Sequence, residues 1–328
     1  MAARRTATKA RASRRAGVLD ERRRQPLATT NGAATPAERL GVRKTYKLYI
    51  GGAFPRTESG RAYEVFDAQG RLLANACRGT RKDIRDAVRA ARKAFPEWAA
   101  KTAYNRSQIL YRIAELMEGR REQFIVEVMA AEGAGRRRAT RLVLAAIDRW
   151  VWYAGWADKY SQALGTVNPV AGSYFNFSVP EPTGVVGVVA PEGSSLLGLV
   201  SRLAPAIVSG NAAVVIASES RPLPAVTLTE VLATSDVPGG VVNLITGLRR
   251  ELVQHLAGHM DVNALDAFGL APEGAAAVEE LATENVKRLV RPPADGEASV
   301  DWLDPRSQSP YLIGEFVETK TVWHPIGS

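Results

Sequence analysis

Residues 184–217 read GVVGVVAPEGSSLLGLVSRLAPAIVSGNAAVVIA. Two short, almost uniformly apolar runs, 185–190 and 212–217, flank a loop at 191–195 and a helical stretch that reaches Ser209. Short runs that are apolar at nearly every position predict strands buried on both faces, as in a parallel sheet. The rhythm continues with a helix over 224–234, a strand over 241–246 and a helix over 249–257. A strand over 263–268, a helix over 272–283 and a strand over 286–290 complete it. Five such strands alternating with helices predict an α/β fold, and right-handed crossovers make it a Rossmann-like doubly wound parallel sheet of about five strands.

Upstream, 47–52 reads as a strand with a turn and 63–66 as a second strand. Helical spacing covers 81–98 (Ile84, Val88, Ala91, Phe95), 106–117, 122–131 and 136–162, which predicts an N-terminal helical segment. Trp150, Trp152 and Trp156 on the last of these are expected to pack a core rather than to form a binding cage. Residues 173–179 alternate, with Phe175, Phe177 and Val179 facing one way and Tyr174, Asn176 and Ser178 the other, so a half-buried antiparallel strand is expected. After Val290 the pattern stops, and 291–308, containing Pro and acidic residues, reads as a linker. Residues 315–323 then alternate again, with Val317, Thr319, Thr321 and Trp323 on one face; a lone strand there must find a partner.

The 328 residues, 46% apolar and 23% charged, suffice for two domains of an ordinary globular protein. Residues 1–44 hold twelve Lys/Arg against three Asp/Glu, which is +9, the whole formal net charge; the other 284 residues are neutral. The stretch lacks periodic hydrophobicity and is expected to be a disordered basic tail. It fits a solvated leader, an electrostatic contact with nucleic acid or another polyanion, or, less well, an organelle transit peptide. No aromatic residue interleaves its charges, which weakens a base-stacking role. No apolar run approaches the roughly 20 residues that span a bilayer, so no membrane partner is expected.

Cys77 is the single cysteine, so no intramolecular disulfide can form and a reducing, cytoplasmic setting is expected. It reads as a buried structural thiol. His255 and His259 lie four apart on one helix, but HLAGH lacks the Glu of a zinc-peptidase motif, and no metal site is expected. Ligands of an open parallel sheet bind at the carboxyl ends of its strands, and the first such end is Pro191-Glu192-Gly193-Ser194-Ser195. Its backbone N–H groups and helix dipole suit an anion, although Glu192 sets a negative charge there and GxGxxG is absent. Ser194 and Ser195 lack the nucleophile-elbow pattern and read as helix caps.

Several motifs in order resemble the aldehyde dehydrogenase superfamily. They are 49–52 (YIGG), 83–98 (DIRDAVRAARKAFPEW), 153–160 (YAGWADKY), 180–191 (PEPTGVVGVVAP), 203–215 (LAPAIVSGNAAVV) and 238–247 (PGGVVNLITG). The resemblance covers about 47–290 and returns at 313–327, where 315–327 (EFVETKTVWHPIG) looks like the family's carboxyl-terminal segment. It implies a basic tail at 1–44, the helical part of that fold at 45–170, an oligomerisation strand at 171–182 and a Rossmann-like coenzyme domain at 183–290. A linker at 291–312 would stand where the family has its catalytic domain, and an oligomerisation strand at 313–328 would complete a small antiparallel oligomerisation sheet.

The family's functional positions are altered. Gly193 stands where the oxyanion Asn of P-W-N-F-P is expected, and losing one oxyanion donor costs ~10²–10³ in rate. In the K-P-x-E stretch the Lys is gone and Glu219 remains. Two glycines of G-x-G-x-x-x-G become Arg249 and Val253. Of F-T-G-S-T-x-x-G, Gly269 and Gly274 survive, with Leu270 in the Ser place. Near Pro292 no Glu marks the general base, and the domain bearing the nucleophilic Cys has no counterpart. Covalent aldehyde oxidation needs both groups, so the resemblance implies no catalytic residue and only vestigial coenzyme contacts at Glu219, Gly269 and Gly274. No cofactor is then expected beyond weak NAD or NADP binding. Retention of the two oligomerisation strands implies a non-catalytic subunit partnered by a full-length aldehyde dehydrogenase. An NAD-binding dehydrogenase of altered mechanism is the alternative.

Overall fold

The computed structural model describes residues 42–327; the basic tail, all but its last three residues, lies outside them, and with it the expectations of disorder and polyanion binding. The described chain opens with strands β1 (Thr45–Tyr46), β2 (Ala62–Phe66) and β3 (Leu72–Cys77), which form a small sheet in the order β1-β3-β2. Tyr49, expected within a strand, instead makes an isolated antiparallel bridge to Leu244, exchanging hydrogen bonds of 3.0 and 2.7 Å with it. Helix α1 (Arg81–Ala100) starts at a reciprocal cap. Thr80 Oγ1 accepts from the Asp83 N–H, and the Asp83 carboxylate accepts from the Thr80 N–H at 2.8 Å.

Helices α2 (Ala103–Gly119), α3 (Arg121–Glu132) and α4 (Arg136–Trp156) follow, then the short α5 (Tyr160–Leu164). The single long helix expected over 136–162 is thus two, parted by a turn in which the Lys159 N–H reaches the Trp156 carbonyl. Trp150 is fully buried, and Trp152 and Trp156 pack half-buried against the same core. Trp98 on α1 is also buried, its indole N–H donating to the Ile207 carbonyl at 3.0 Å.

Beyond β4 (Thr166–Asn168) and β5 (Tyr174–Pro182) comes the layer predicted from 184–290. It comprises β6 (Val185–Val189), α6 (Leu197–Val208), β7 (Ala212–Ile216), α7 (Leu223–Leu232), β8 (Val242–Ile245), α8 (Arg249–Ala257), β9 (Ala264–Asp266), α9 (Ala275–Thr283) and β10 (Arg288–Val290). All five strands are parallel, in the order β10-β9-β6-β7-β8. Every residue of β6 and β7 is buried. Val185, Val189, Val214 and Ile216 face a layer built from Ile84, Val88, Leu252 and Leu256, while Val186, Val188, Ala213 and Val215 face Leu199, Leu203, Val226 and Leu228. Helices therefore cover both faces, as uniformly apolar strands require. The last strand is shorter than expected, because Val286 is exposed in a turn at φ +55°.

The chain from Arg291 is no loose linker. It makes two 3-10 turns, Glu297–Ser299 and Pro305–Ser307, then α10 (Tyr311–Gly314) and β11 (Val317–Pro325). The Trp302 ring packs tilted against Phe268 with centroids 5.2 Å apart, and its carbonyl accepts from Arg149 Nη2 at 3.0 Å. Ile313 and Phe316 are fully buried in the main core. Strand β11 pairs antiparallel with β5 along its whole length, giving a sheet in the order β11-β5-β4.

The faces of that sheet do not divide into one buried and one exposed side. Asn176 is 3% exposed while Phe175 is 45% exposed. On the face of Asn176 the Asn168 amide donates to Asn176 Oδ1 at 2.6 Å and to Ser178 Oγ at 2.9 Å, and Ser178 and Thr321 share a 2.9 Å hydrogen bond, while Tyr174 and Trp323 on the same face are 46% and 58% exposed. The opposite face carries Val167, Phe175 and the half-buried Phe177, the two rings 5.3 Å apart.

One buried ion triad joins these parts. Arg202 of α6, 3% exposed at its side chain, donates to Asp266 at the end of β9 (2.6 Å) and to Glu315 ahead of β11 (2.7 Å). Its guanidinium also lies 4.8 Å from the Phe268 ring centroid. Burial alone would lower the Arg202 pKa, but Asp266 and Glu315 outweigh it and raise the value, so the side chain stays charged. Removing one member of such a group strands the others without compensation. Arg202→Met is therefore expected to lower the unfolding free energy by about 3–5 kcal/mol. Urea unfolding followed by tryptophan fluorescence checks this, and an unchanged midpoint would show that the triad is dispensable.

Candidate functional site

Chain order reverses direction beside β6: β7 and β8 are added on one side, and the chain returns to place β9 and β10 on the other. The crevice between the carboxyl ends of β6 and β9 is where an open parallel sheet receives a ligand. Here the chain's own side chains fill it.

Arg249, at the start of α8, reaches across the crevice. Its guanidinium donates to the Gly269 carbonyl at 2.7 Å, to the Ala190 carbonyl, and to Glu192 in an ion pair of 2.9 Å. Burial lowers the pKa of this guanidinium, while Glu192, Glu297 and Glu219 pull it upward. Glu192 in turn accepts from the backbone N–H groups of Glu219 (2.9 Å) and Ser220 (2.8 Å). Glu219 accepts from the Arg249 N–H at 2.7 Å and so caps α8. Tyr63 of β2 faces the same network; burial first, then Glu219 and Glu192, push its phenol well above the ordinary value.

The loop after β6 is satisfied in the same way. The N–H groups of Glu192 and Gly193 both donate to the carboxylate of Glu297, the first at 2.6 Å. Ser195 donates its N–H and its hydroxyl to Glu132 at 2.8 and 2.7 Å. Ser194 Oγ accepts from the first-turn N–H of Gly198 at 2.9 Å, although Leu196 holds the N-cap position, and Ser195, also expected as a cap, bonds Glu132 instead. A cavity of about 460 Å³ remains beside the loop, lined by Glu132, Arg138, Gly193, Ser194, Glu297 and Trp302 among others.

Of the three residues expected to be vestigial coenzyme contacts, the fold brings two together. Glu219 and Gly269 both touch Arg249, one through a carboxylate and one through a carbonyl. Gly269 packs so closely on the end of β6 that a Cβ there would overlap the Ala190 carbonyl. Gly274 stands apart in the 3-10 turn before α9, with open space where its Cβ would be. A dinucleotide needs free N–H donors and room at this crevice. The named donors are bonded to internal carboxylates and the room is taken by Arg249, so the residues present do not fit that group.

Of the residues that decide this, Glu192 stands out in the sequence as a negative charge at the sheet-end loop. Arg249 left a trace, as bulk in a glycine position. Glu297 left none, because its partners lie 104 and 105 residues earlier. Elsewhere, Cys77 is buried at the end of β3. Among the described residues no group of three His, Cys, Asp or Glu is placed to hold a metal ion, and no helix is long and apolar enough to cross a membrane.

Comparison with known proteins agrees with the fold. The model of the aldehyde dehydrogenase family matches residues 55–291. Aldehyde dehydrogenase family 2 member B4, mitochondrial, of Arabidopsis thaliana is 32% identical over 294 residues, 88% of this chain and 52% of that protein. Aldehyde dehydrogenase 1A1 of Gallus gallus is 31% identical over 261 residues, 77% of this chain and 50% of that one. Among solved structures, HpcC from Thermus thermophilus superposes with a TM-score of 0.72 at 30% identity, covering 76% of this chain and 48% of that one. An aldehyde dehydrogenase from Bacillus cereus, solved as an NAD+ complex, gives 0.70 at 26% identity, covering 75% and 50%. The chain thus spans about half the length of the curated relatives it matches.

The electrostatics of the crevice can be read by titration. Burial pushes Glu192 up, but the Arg249 charge and the hydrogen bonds from Ser220 and Glu219 outweigh it and hold the carboxyl below its ordinary value. A depressed carboxylate contributes stability that is complete above its unfolded value of about 4.3 and is lost as pH falls through the folded value. Glu192→Gln should therefore melt below the parent near neutral pH, with the gap closing as pH falls below about 4.3. Thermal melts across that range check it, and a gap independent of pH would contradict the assignment.

Proposed function

The chain belongs to the aldehyde dehydrogenase family, and from that premise we propose that it is a non-catalytic subunit that assembles with a full-length aldehyde dehydrogenase. The observation that carries this reading is the complete β11-β5-β4 sheet. The two strands that the resemblance assigns to oligomerisation pair over nine residues, although the chain between β10 and β11 is far too short for a catalytic domain.

The sheet presents what an assembly surface needs. One face carries Val167 (68% exposed), Phe175 (45% exposed) and the half-buried Phe177, and the free side of β11 meets no strand among the described residues. An unpaired edge beside exposed aromatic rings is costly for an isolated chain and productive at an interface. In the family the oligomerisation hairpin of one subunit packs beside the catalytic domain of its neighbour. This chain offers the hairpin, and the receiving domain would come from the partner. The buried thiol of Cys77 suits a reducing, cytoplasmic setting for the pair.

The alternative, a dehydrogenase of altered mechanism, finds little support in a crevice filled by Arg249 and its carboxylates. Calorimetric titration with NAD and NADP separates the two; absent or millimolar binding is expected, and micromolar binding would restore the enzyme reading.

Gentle purification of the tagged chain from its native host should yield a stoichiometric full-length aldehyde dehydrogenase. The double substitution Phe175→Ser with Phe177→Ser should cut that recovery about tenfold, a loss on the order of 1.4 kcal/mol, while leaving the urea midpoint near the parent's. A chain that forms a closed homodimer and brings no such enzyme would overturn the proposal.

A further inference from the structure

We propose that the 291–304 segment is a built-in stopper of the sheet-end crevice: the Glu297 carboxylate occupies, in cis, a pair of backbone N–H groups shaped to hold the oxygens of a phosphate-class anion. The inference is independent of which protein the β11-β5-β4 sheet meets.

The contact has the form of ligand binding. Two consecutive N–H groups, of Glu192 and Gly193, point at the two oxygens of one carboxylate. Successive amides aimed at one point form a concavity that holds anions. The approach depends on Gly193, since a Cβ there would stand 2.9 Å from Glu297 Oε1. From the other side, Arg221 Nη1 donates to the Gly193 carbonyl at 2.9 Å and braces the same peptide.

The stopper is also held in place from its own side. Gly296 turns at φ +73°, its N–H bonds to the Pro293 carbonyl at 2.9 Å, and Ser299 Oγ donates to the Gly296 carbonyl at 2.7 Å. Five residues beyond Glu297, Trp302 is pinned between the Phe268 ring and Arg149. A carboxylate tethered this way competes at an effective concentration in the millimolar range or higher, so free anions at ordinary concentrations are shut out. Removing it frees two donors and takes a negative charge away from beside Glu192.

The test uses the full chain and inorganic pyrophosphate. Calorimetric titration of the parent should give no binding at millimolar pyrophosphate, and Glu297→Ala should gain at least about tenfold in affinity as the loop donors open. If the parent and Glu297→Ala titrate alike, the carboxylate is not a stopper and the proposal fails. Amide hydrogen exchange on the parent tests the contact without any substitution. Slow exchange at both Glu192 and Gly193 supports it, and exchange at the rate of exposed loop amides overturns it. Glu297→Gln, which keeps the shape without the charge, should speed exchange at both amides; no change there would also overturn it.

Discussion

A guanidinium removed from water must find its donors' partners within the protein, and Arg202 finds them in two distant places. Asp266 is fixed at the end of β9, inside the parallel sheet, while Glu315 belongs to the segment that leads into β11. Phe268 and Phe316 close over the charge from the same two directions. The position of β11 therefore follows from the position of β9, and that of the three-stranded sheet from both. The Asn211 amide reinforces the join by donating to the Phe316 carbonyl at 2.7 Å. That segment is thus held on the body by charge and hydrogen bonds, which are directional, as well as by area.

That clamp also explains how half a fold is closed. Where relatives extend well beyond the matched region, this chain lays 291–316 across α4 and α6, with Trp302, Leu303, Ile313 and Phe316 reaching the main core. Arg149 shows the join in detail: it is 3% exposed, with one guanidinium nitrogen on Ser201 of α6 and another on the Trp302 carbonyl. Tyr153 adds a hydrogen bond from its hydroxyl to the Ser309 carbonyl at 3.3 Å. The same segment supplies Glu297 to the loop after β6, so covering the core and closing the crevice are two results of one path.

The parallel sheet was legible because uniform apolarity over five or six residues has one economical solution, a strand covered on both faces. The start of α1 was as plain, since Thr80 and Asp83 are near neighbours in sequence and bond each other. What covers each face of β5 was not. Alternation reveals that two faces differ but not what meets each, and the polar partners of Asn176 and Ser178 come from Asn168 and Thr321, on two other strands. The crevice was half legible: replaced glycines announced a changed site. That Arg249 would bridge Ala190, Gly269 and Glu192 depends on contacts 20 to 59 residues away, which local pattern does not encode.

The pairing of β5 with β11 has a consequence in time. Strand β5 ends at Pro182 and its partner begins at Val317, so the whole parallel sheet is synthesised between them. At about 5–20 residues per second, β5 waits on the order of ten seconds with one long edge open. During that interval the nascent chain carries only the three-residue β4 beside it. Any other strand that reaches β5 first competes with the chain's own end, and the outcome is set by the pace of translation rather than by the stability of the finished sheet.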